Sequence, residues 1–255
     1  MHTQLPEKNI KLMRLMKQAM DENLLVPDYH PLLQTRFPDR KTYMLGCHLK
    51  TTTGQLIPYS SLRKLAGMSD MAPALDRWMA GTGLQALKRM HLEQPEATIV
   101  IPQSISALHN PEYPRWLDRQ RQREDLSSRG LVIAFRLSQI AKDLKLARDC
   151  TEALHKLDVE TMIDQFSDHP AAIKILKVMS CRYISVNHKL LNTSDDIVHR
   201  IINVCHKRGV RILLPGIASP DDVNLHWSSG ADLLEGPYIH PSTKDTSFSF
   251  PPVVS

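Results

Sequence analysis

The feature that most constrains the fold of this 255-residue chain is a strand-like segment that recurs about every 30 residues. Two stretches, 98–101 and 210–214, are nearly continuous apolar runs, which is typical of strands buried on both faces. Segments with helical periodicity lie between most of the strands. The eight predicted strands are 24–34, 42–50, 98–105, 130–137, 161–166, 183–186, 210–215 and 231–239.

Helices alternate with these strands along the whole chain. The predicted helices are 8–21, 60–66, 72–90, 114–124, 138–157, 170–179, 194–207 and 220–228, with Ser194 and Ser219 as N-caps of the last two. This alternation predicts an α/β fold, a TIM-like (β/α)8 barrel. Only residues 35–41 join the first two strands, and a parallel crossover needs about a dozen residues or more. We therefore expect one antiparallel strand at the start of the barrel.

Composition restricts the class of protein further. Charged residues make up 23% of the chain and the net charge is +5, which is typical of a globular protein. No apolar stretch is long enough to span a membrane and the N-terminus lacks a secretory signal, so we expect a cytoplasmic protein. The barrel domain is predicted over 8–240. Residues 241–255, rich in Ser, Thr and Pro, are predicted to form a flexible tail.

Nucleic-acid and cofactor sites are not indicated. The basic residues of 115–123 are interleaved with acidic ones and aromatic residues are scarce, so we expect no nucleic-acid partner. The chain has no glycine-rich phosphate-binding loop, and we predict no cofactor. The four cysteines are scattered without a CxxC motif, so we expect reduced thiols rather than disulfides or a zinc site.

Three local features allow two interpretations each. Histidines near the strands could bind a metal, but no carboxylate motif accompanies them, and hydrogen-bonded or solvated side chains are favoured; they are His30, His48, His188 and His240. Gly81 and Gly83 could contact phosphate, although close packing of a helix on the barrel is favoured. The methionines of 13–20 are predicted as a buried helix stripe, with a partner-docking face as the alternative.

Short motifs in a fixed order carry a family resemblance. They are Gly-Gln-Leu-Ile-Pro at 54–58, Leu-Asp-Arg-Trp at 75–78, Ser-Ile-Ser-Ala-Leu at 104–108, Ile-Asp-Gln-Phe at 163–166, and Gly-Ala-Asp then Glu-Gly-Pro-Tyr-Ile at 230–239. Over about 12–241 the chain resembles the EAL family of bacterial cyclic di-GMP phosphodiesterases, including its catalytically inactive, FimX-type members. The resemblance implies an EAL-type barrel whose first strand is antiparallel, in agreement with the short connection.

The resemblance also indicates where catalytic residues should lie. EAL enzymes hold two divalent cations on carboxylates and an Asn, and a metal-bound water attacks the phosphodiester. The corresponding positions here are Met44, Pro102, Leu137, Ser185, Asn187, Pro215 and Ala218, and of the paired aspartates Asp164 remains beside Gln165. One carboxylate cannot hold two cations, so we expect neither metal nor phosphodiesterase activity.

Nucleotide binding without hydrolysis is a separate question. In inactive relatives an Asp that contacts a guanine edge matches Asp76, a phosphate-binding Arg matches His48, and a Gln of the first strand matches His30. A Phe of the seventh strand matches Gly216, and a late Gln matches Glu235. The candidate nucleotide-binding residues are therefore His30, His48, Asp76, Asp164, Gly216 and Glu235. Because histidine lacks the fork of arginine, we expect cyclic di-GMP to bind weakly if it binds.

The sequence thus favours a non-catalytic EAL-like signalling module that acts through protein contacts in cyclic di-GMP-linked regulation. Its partner would be an adaptor, an adjacent signalling domain of a longer regulator, or a second copy in a homodimer. The alternative is a non-hydrolysing cyclic di-GMP receptor with a weakened site, and a residual or unrelated hydrolase is the third hypothesis.

Overall fold

The computed structural model describes residues 7–22, 24–51, 54–191 and 195–251. Its elements, in chain order, are α1 (Glu7–Asp21), β1 (Leu25–Pro31), β2 (Leu33–Gln34), β3 (Thr42–Lys50), β4 (Leu56–Pro58), α2 (Tyr59–Ala66), α3 (Ala72–Glu93), β5 (Thr98–Pro102), α4 (Ile105–His109), α5 (Tyr113–Arg123), β6 (Leu131–Arg136), α6 (Leu137–Ile140), α7 (Leu144–His155), β7 (Glu160–Phe166), α8 (Pro170–Val178), β8 (Tyr183–Val186), α9 (His188–Leu191), α10 (Asp195–His206), β9 (Arg211–Leu214), α11 (Pro220–Ser228) and β10 (Leu233–Leu234).

Nine of the strands form a nearly closed barrel in the order β1-β3-β5-β6-β7-β8-β9-β10-β2, and β4 pairs with β3 outside this path. Strands β3 and β5 to β10 run parallel to one another, and β2 pairs with β10 in antiparallel register. β1 pairs with β3 in antiparallel register, from Leu25 opposite Leu49 to Pro31 opposite Tyr43. The predicted α/β barrel and its antiparallel start are both confirmed.

The predicted first strand, 24–34, is two strands that pair with different neighbours. β1 ends at Pro31, and the Leu32 amide donates a 2.7 Å hydrogen bond to the carbonyl of Thr42 at the start of β3. The next two residues form β2, which pairs with β10, and the Thr35 amide bonds the Asp232 carbonyl at 3.1 Å. One short stretch of chain therefore joins the two sides of the barrel seam.

The core has two layers, one inside the barrel and one between the barrel and its helices. The interior layer consists of eight buried side chains: Leu32, Val100, Val132, Ala134, Met162, Tyr183, Leu213 and Leu233. Every residue of β5 and β8 is buried, as continuous apolar strands predict. On α1, Met16 is fully buried and Met13 and Met20 pack against the outer layer, so the methionine stripe is a core face.

Helix α3 lies close against β5 at a glycine. A Cβ on Gly83 would lie 2.3 Å from Ile101 Cδ1, whereas a Cβ on Gly81 would meet nothing within 4 Å. The predicted packing role is confirmed for Gly83. Gly81 has no such contact.

Several predicted boundaries were wrong. The strand predicted at 231–239 is only β10, because Gly236 has a φ of +154° and turns the chain against Ile217. The helix predicted at 138–157 is divided into α6 and α7, and Asp143 caps α7 through a 3.1 Å bond from the Leu146 amide. The three short elements β4, α4 and α9 were not predicted.

The two predicted N-caps have different outcomes. Ser219 caps α11, since its Oγ accepts a 3.1 Å hydrogen bond from the Asp222 amide. Ser194 lies outside the described residues.

In the described part of the chain, no helix combines the length and the apolar character that crossing a membrane requires.

Residues 241–251 pack on the barrel, which differs from the flexible tail predicted over 241–255. Tyr29 and Thr243 exchange backbone hydrogen bonds of 2.9 and 2.8 Å, and the Tyr43 hydroxyl donates to the Phe248 carbonyl. The Phe248 ring also stacks on His240 with centroids 3.7 Å apart. Composition alone did not reveal these aromatic anchors, and residues 252–255 lie outside the described residues.

Candidate functional site

A cleft of about 380 Å³ opens at the carboxyl ends of the barrel strands, where (β/α)8 barrels build their sites. It brings together four of the six predicted residues, namely His30, His48, Asp164 and Glu235. Asp28, Tyr59, Arg63, Arg136 and Gln165 line it as well. The sequence therefore located the cleft correctly but missed much of its polar lining.

One wall of the cleft is a chain of three charged side chains. His30 Nε2 lies 3.3 Å from Asp28 Oδ2, and His30 Nδ1 lies 3.6 Å from Glu235 Oε1. Hydrogen bonding of the His30 ring N–H groups to Asp28 and then to Glu235 raises the pKa of His30 to about 9, and the contact with His30 lowers the pKa of Asp28. His30 is therefore protonated at neutral pH, and its positive charge partly neutralises that of Glu235.

The opposite wall places two consecutive residues of β7 in the same cleft. Neighbours on a regular strand point to opposite faces, yet Asp164 and Gln165 both line the cleft. The pairing of β7 with β8 is irregular between Ile163 and Phe166, and Gln165 has a φ of +57°. This bulge turns both side chains toward one side. Asp164 Oδ2 then lies 3.6 Å from Arg136 Nε.

Two arginines that the sequence analysis missed supply positive charge to the cleft. Arg136 is the last residue of β6, and Arg63 lies on α2. Burial lowers the pKa of Arg63, and a hydrogen bond with Tyr59 acts in the opposite direction. A strand's last residue is a signal that could have revealed Arg136. Arg63 could not be placed from the sequence, because its helix α2 directly follows β4, a strand that was not predicted.

Asp76 and Gly216 are not part of the cleft lining. The Asp76 side chain is only 4% exposed and accepts hydrogen bonds from the Ser104 amide at 2.9 Å and the Ser104 hydroxyl at 2.6 Å. Burial raises its pKa to about 6. Gly216, with a φ of +81°, is exposed beside the cleft residue Pro215. The structure thus assigns Asp76 a buried structural contact instead of an open ligand position.

The positions that the sequence resemblance assigned to metal ligands have few side-chain oxygens in this structure. Met44, Pro102, Ser185 and Pro215 line the cleft. Among the described residues, no group of three or more His, Cys, Asp or Glu side chains is arranged to hold a metal ion. Burial raises the pKa of the Cys47 thiol to about 12, so it contributes no thiolate.

A family model of the EAL domain matches residues 13–242. The chain belongs to the EAL domain family. The family is one of cyclic di-GMP signalling, and its members share the barrel described above.

Solved EAL structures share the fold at low sequence identity. The FimX EAL domain from Pseudomonas aeruginosa bound to c-di-GMP is 19% identical, with a TM-score of 0.87 that covers 94% of this chain and 99% of that one. The PaMucR phosphodiesterase in its c-di-GMP complex is 17% identical, with a TM-score of 0.82 that covers 91% of this chain and 97% of that one.

A curated relative matches in sequence along nearly the whole chain. It is an uncharacterized 76.5 kDa protein encoded in the phbC 3′ region of Thiocystis violacea, 20% identical over 246 residues, or 96% of this chain. The chain spans 36% of that relative's length.

Proposed function

We propose that this EAL domain is catalytically inactive and acts as a signalling module through contacts with other proteins. The observation that supports this most directly is the set of donors in the cleft. A two-cation site needs several carboxylate or amide oxygens, whereas Met44, Pro102 and Pro215 contribute none from their side chains. The residues present therefore do not fit two divalent cations.

The charge pairing in the cleft gives the proposal further support. The cleft has three carboxylates, Asp28, Asp164 and Glu235, and each faces a cationic side chain within 3.6 Å. A carboxylate committed to an ion pair is a poor cation ligand, because binding a metal would leave His30 or Arg136 unpaired. Among the described residues that line the cleft, no carboxylate is left unpaired to hold a cation and its attacking water.

A domain without catalysis can still transmit a signal through its surface. The curated relative is nearly three times as long as this chain, since the match covers 36% of it. That length favours an adjacent signalling domain in a longer cytoplasmic regulator as the partner. An adaptor protein and a homodimer are the other partners that the proposal includes.

The second candidate function is that of a non-hydrolysing cyclic di-GMP receptor. Arg63 and Arg136 favour it, because guanidinium groups bind phosphate well and both line a cleft of ligand size. Related EAL domains, including that of FimX, are described in complex with c-di-GMP. Against it, Asp76 is committed to Ser104, and Asp28, Asp164 and Glu235 offset the positive charge.

Hydrolysis is tested with cyclic di-GMP and Mg²⁺ or Mn²⁺, with a competent EAL phosphodiesterase as the positive control. We expect no linear dinucleotide from this chain under conditions in which the control turns over fully. Linear product that disappears in the Asp164→Asn variant would refute catalytic inactivity, because it would show that the remaining carboxylate supports the reaction.

Binding is tested by titration calorimetry with cyclic di-GMP. We expect a Kd no tighter than about 10 µM, since each lost charged hydrogen bond removes about 1.5–3 kcal/mol. Arg136→Gln tests whether any heat arises in the cleft, and Arg123→Gln, an exposed arginine at the end of α5, is the matched control. Submicromolar binding that Arg136→Gln abolishes and Arg123→Gln does not would favour the receptor function over a module that acts only through protein contacts.

A further inference from the structure

The amino-terminal end of the barrel, opposite the cleft, has a depression of about 520 Å³ with a strong excess of positive charge. Four arginines line it, Arg36, Arg40, Arg182 and Arg211, against one carboxylate, Asp232. Arg36 and Arg40 precede β3, Arg182 precedes β8, and Arg211 is the first residue of β9, so the topology brings all four to the same end of the barrel. The two ends of the barrel are therefore separate candidate sites.

The one carboxylate is committed to the fold. Asp232 is 8% exposed, and its Oδ2 accepts a 2.9 Å hydrogen bond from the Ile212 amide. The same oxygen lies 2.9 Å from His206 Nε2. With these partners, Asp232 holds β9 against β10. Its Oδ1 also lies 3.9 Å from Arg211 Nε, so it offsets the charge of Arg211 and leaves that of Arg36 and Arg40.

Two of the arginines also have structural partners and form the base of the depression. Arg211 Nη2 donates a 3.0 Å hydrogen bond to Gln34 Oε1, and its guanidinium lies 5.5 Å from the centroid of the Tyr183 ring. Arg182 Nη1 donates to the Gly209 carbonyl at 3.3 Å, with its Nε 3.7 Å from Glu160. These contacts fix the two side chains in place.

The other two arginines lack such partners. Within the described ranges, neither Arg36 nor Arg40 forms an ion pair with a carboxylate. The Arg40 guanidinium lies 4.0 Å above the ring of Phe37, which is 45% exposed. The turn after α10 adds two more exposed cations beside the depression, Lys207 and Arg208. Repulsion among these groups is unrelieved until an anion binds.

We propose that this depression binds a di- or triphosphate group, as carried by a nucleoside polyphosphate. Guanidinium forks match phosphate oxygens, and several forks around one depression suit a ligand with several adjacent negative charges. The volume lies within the range of small-molecule sites, about 300–1,000 Å³. The exposed Phe37 ring at the edge offers an apolar face to a base.

The charges of an adjoining depression indicate on which side of the shared arginines the phosphates would lie. It shares Arg40, Arg182 and Arg211 but is also lined by three acids, Glu96, Asp158 and Glu160. Glu96 is paired with Arg129 at 2.6 Å, and Asp158 has no ion pair among the described residues. Arg129 lines that depression as well, but the three acids offset most of its positive charge, which favours an anion on the side of Arg36 and Arg40.

The test is calorimetric titration of inorganic tripolyphosphate into the chain at about 50 mM salt, where surface charges are weakly screened. We expect saturable binding that the double variant Arg36→Gln/Arg40→Gln weakens about tenfold or more, because it removes two charged contacts. Arg123→Gln removes an exposed arginine elsewhere and should leave the affinity unchanged. Thermal unfolding of each variant checks that the fold is retained.

Further titrations separate the possible ligands. ATP and GTP should bind at least as tightly as tripolyphosphate, adenosine should not bind, and a nucleotide preference that Phe37→Leu abolishes would place the base on that ring. Cyclic di-GMP should not displace tripolyphosphate, and Arg136→Gln should not weaken its binding. Absence of saturation below about 1 mM, insensitivity to the double variant, or tighter binding of an oligoglutamate peptide would each overturn the proposal.

Discussion

Replacing Asp76 by Asn should make the stability of the domain less dependent on pH. Burial raises the pKa of Asp76 from 3.8 to about 6, so the folded state binds its proton more tightly than the unfolded state does. Stability linked to this group is fully present below pH 3.8 and is lost as the pH rises through about 6. At about 1.4 kcal/mol per pKa step, ionised Asp76 costs the fold about 3 kcal/mol at neutral pH.

Asparagine retains the shape and can accept the Ser104 amide hydrogen bond, but it carries no charge at any pH. Between pH 7.5 and 5 the unmodified chain should therefore gain about 1.4 kcal/mol relative to Asp76→Asn, from the same two pKa values. Asp76→Ala should instead destabilise the fold at every pH by about 2 kcal/mol or more, because both Ser104 donors lose their buried acceptor.

Urea unfolding at pH 5, 6 and 7.5 measures these differences. Asp70→Asn, on an exposed aspartate just before the same helix, is the matched control and should follow the profile of the unmodified chain. If Asp76→Asn also follows that profile, the carboxyl has an ordinary pKa, and the reasoning that burial dominates its electrostatics is refuted.

Three other outcomes are expected. Gly83→Ala should destabilise the fold by about 1–3 kcal/mol through overpacking, while Gly81→Ala, on the open face of the same helix, should stabilise it by up to about 1 kcal/mol in thermal unfolding. The His30 ion pairs should contribute their full stabilisation below pH 6.5 and lose it as the pH rises through about 9. Solvent screening limits this contribution to about 1 kcal/mol or less, and His30→Gln should remove the decline with pH. Tyr43→Phe should cost about 1 kcal/mol and speed proteolysis within 241–251; an unchanged cleavage rate would show that the hydroxyl does not anchor this segment.

Sequence patterns predicted the barrel well because its strands are buried on both faces. β3 and β8 begin and end at the predicted residues, since their apolar runs are bounded by polar ones. The patterns failed where tertiary contacts decide the structure. β10 extends for only two residues because the chain turns at Gly236, and the aromatic anchor at Phe248 lies in a segment of low-complexity composition.

The candidate site was predictable only as far as the family motifs reach. Those motifs placed His30, His48, Asp164 and Glu235 at one end of the barrel. They could not reveal that Asp28 and Glu235 raise the pKa of His30, because this depends on distances between strands far apart in sequence. The amino-terminal depression was missed for the same reason, since its arginines belong to no motif and meet only when the barrel closes.

The split of the first strand at Leu32 has a consequence for the order in which the domain assembles. Closure depends on two-residue strands, β2 and β10, and on a hydrogen bond from Thr35 Oγ to the Ala231 carbonyl 196 residues away. Such distant pairing carries a large loop-closure entropy, so it forms late. On the ribosome, β1 can pair with β3 early, whereas β2 must wait for nearly the whole domain to be synthesised. Until then the nascent sheet is an open horseshoe with two unpaired edges.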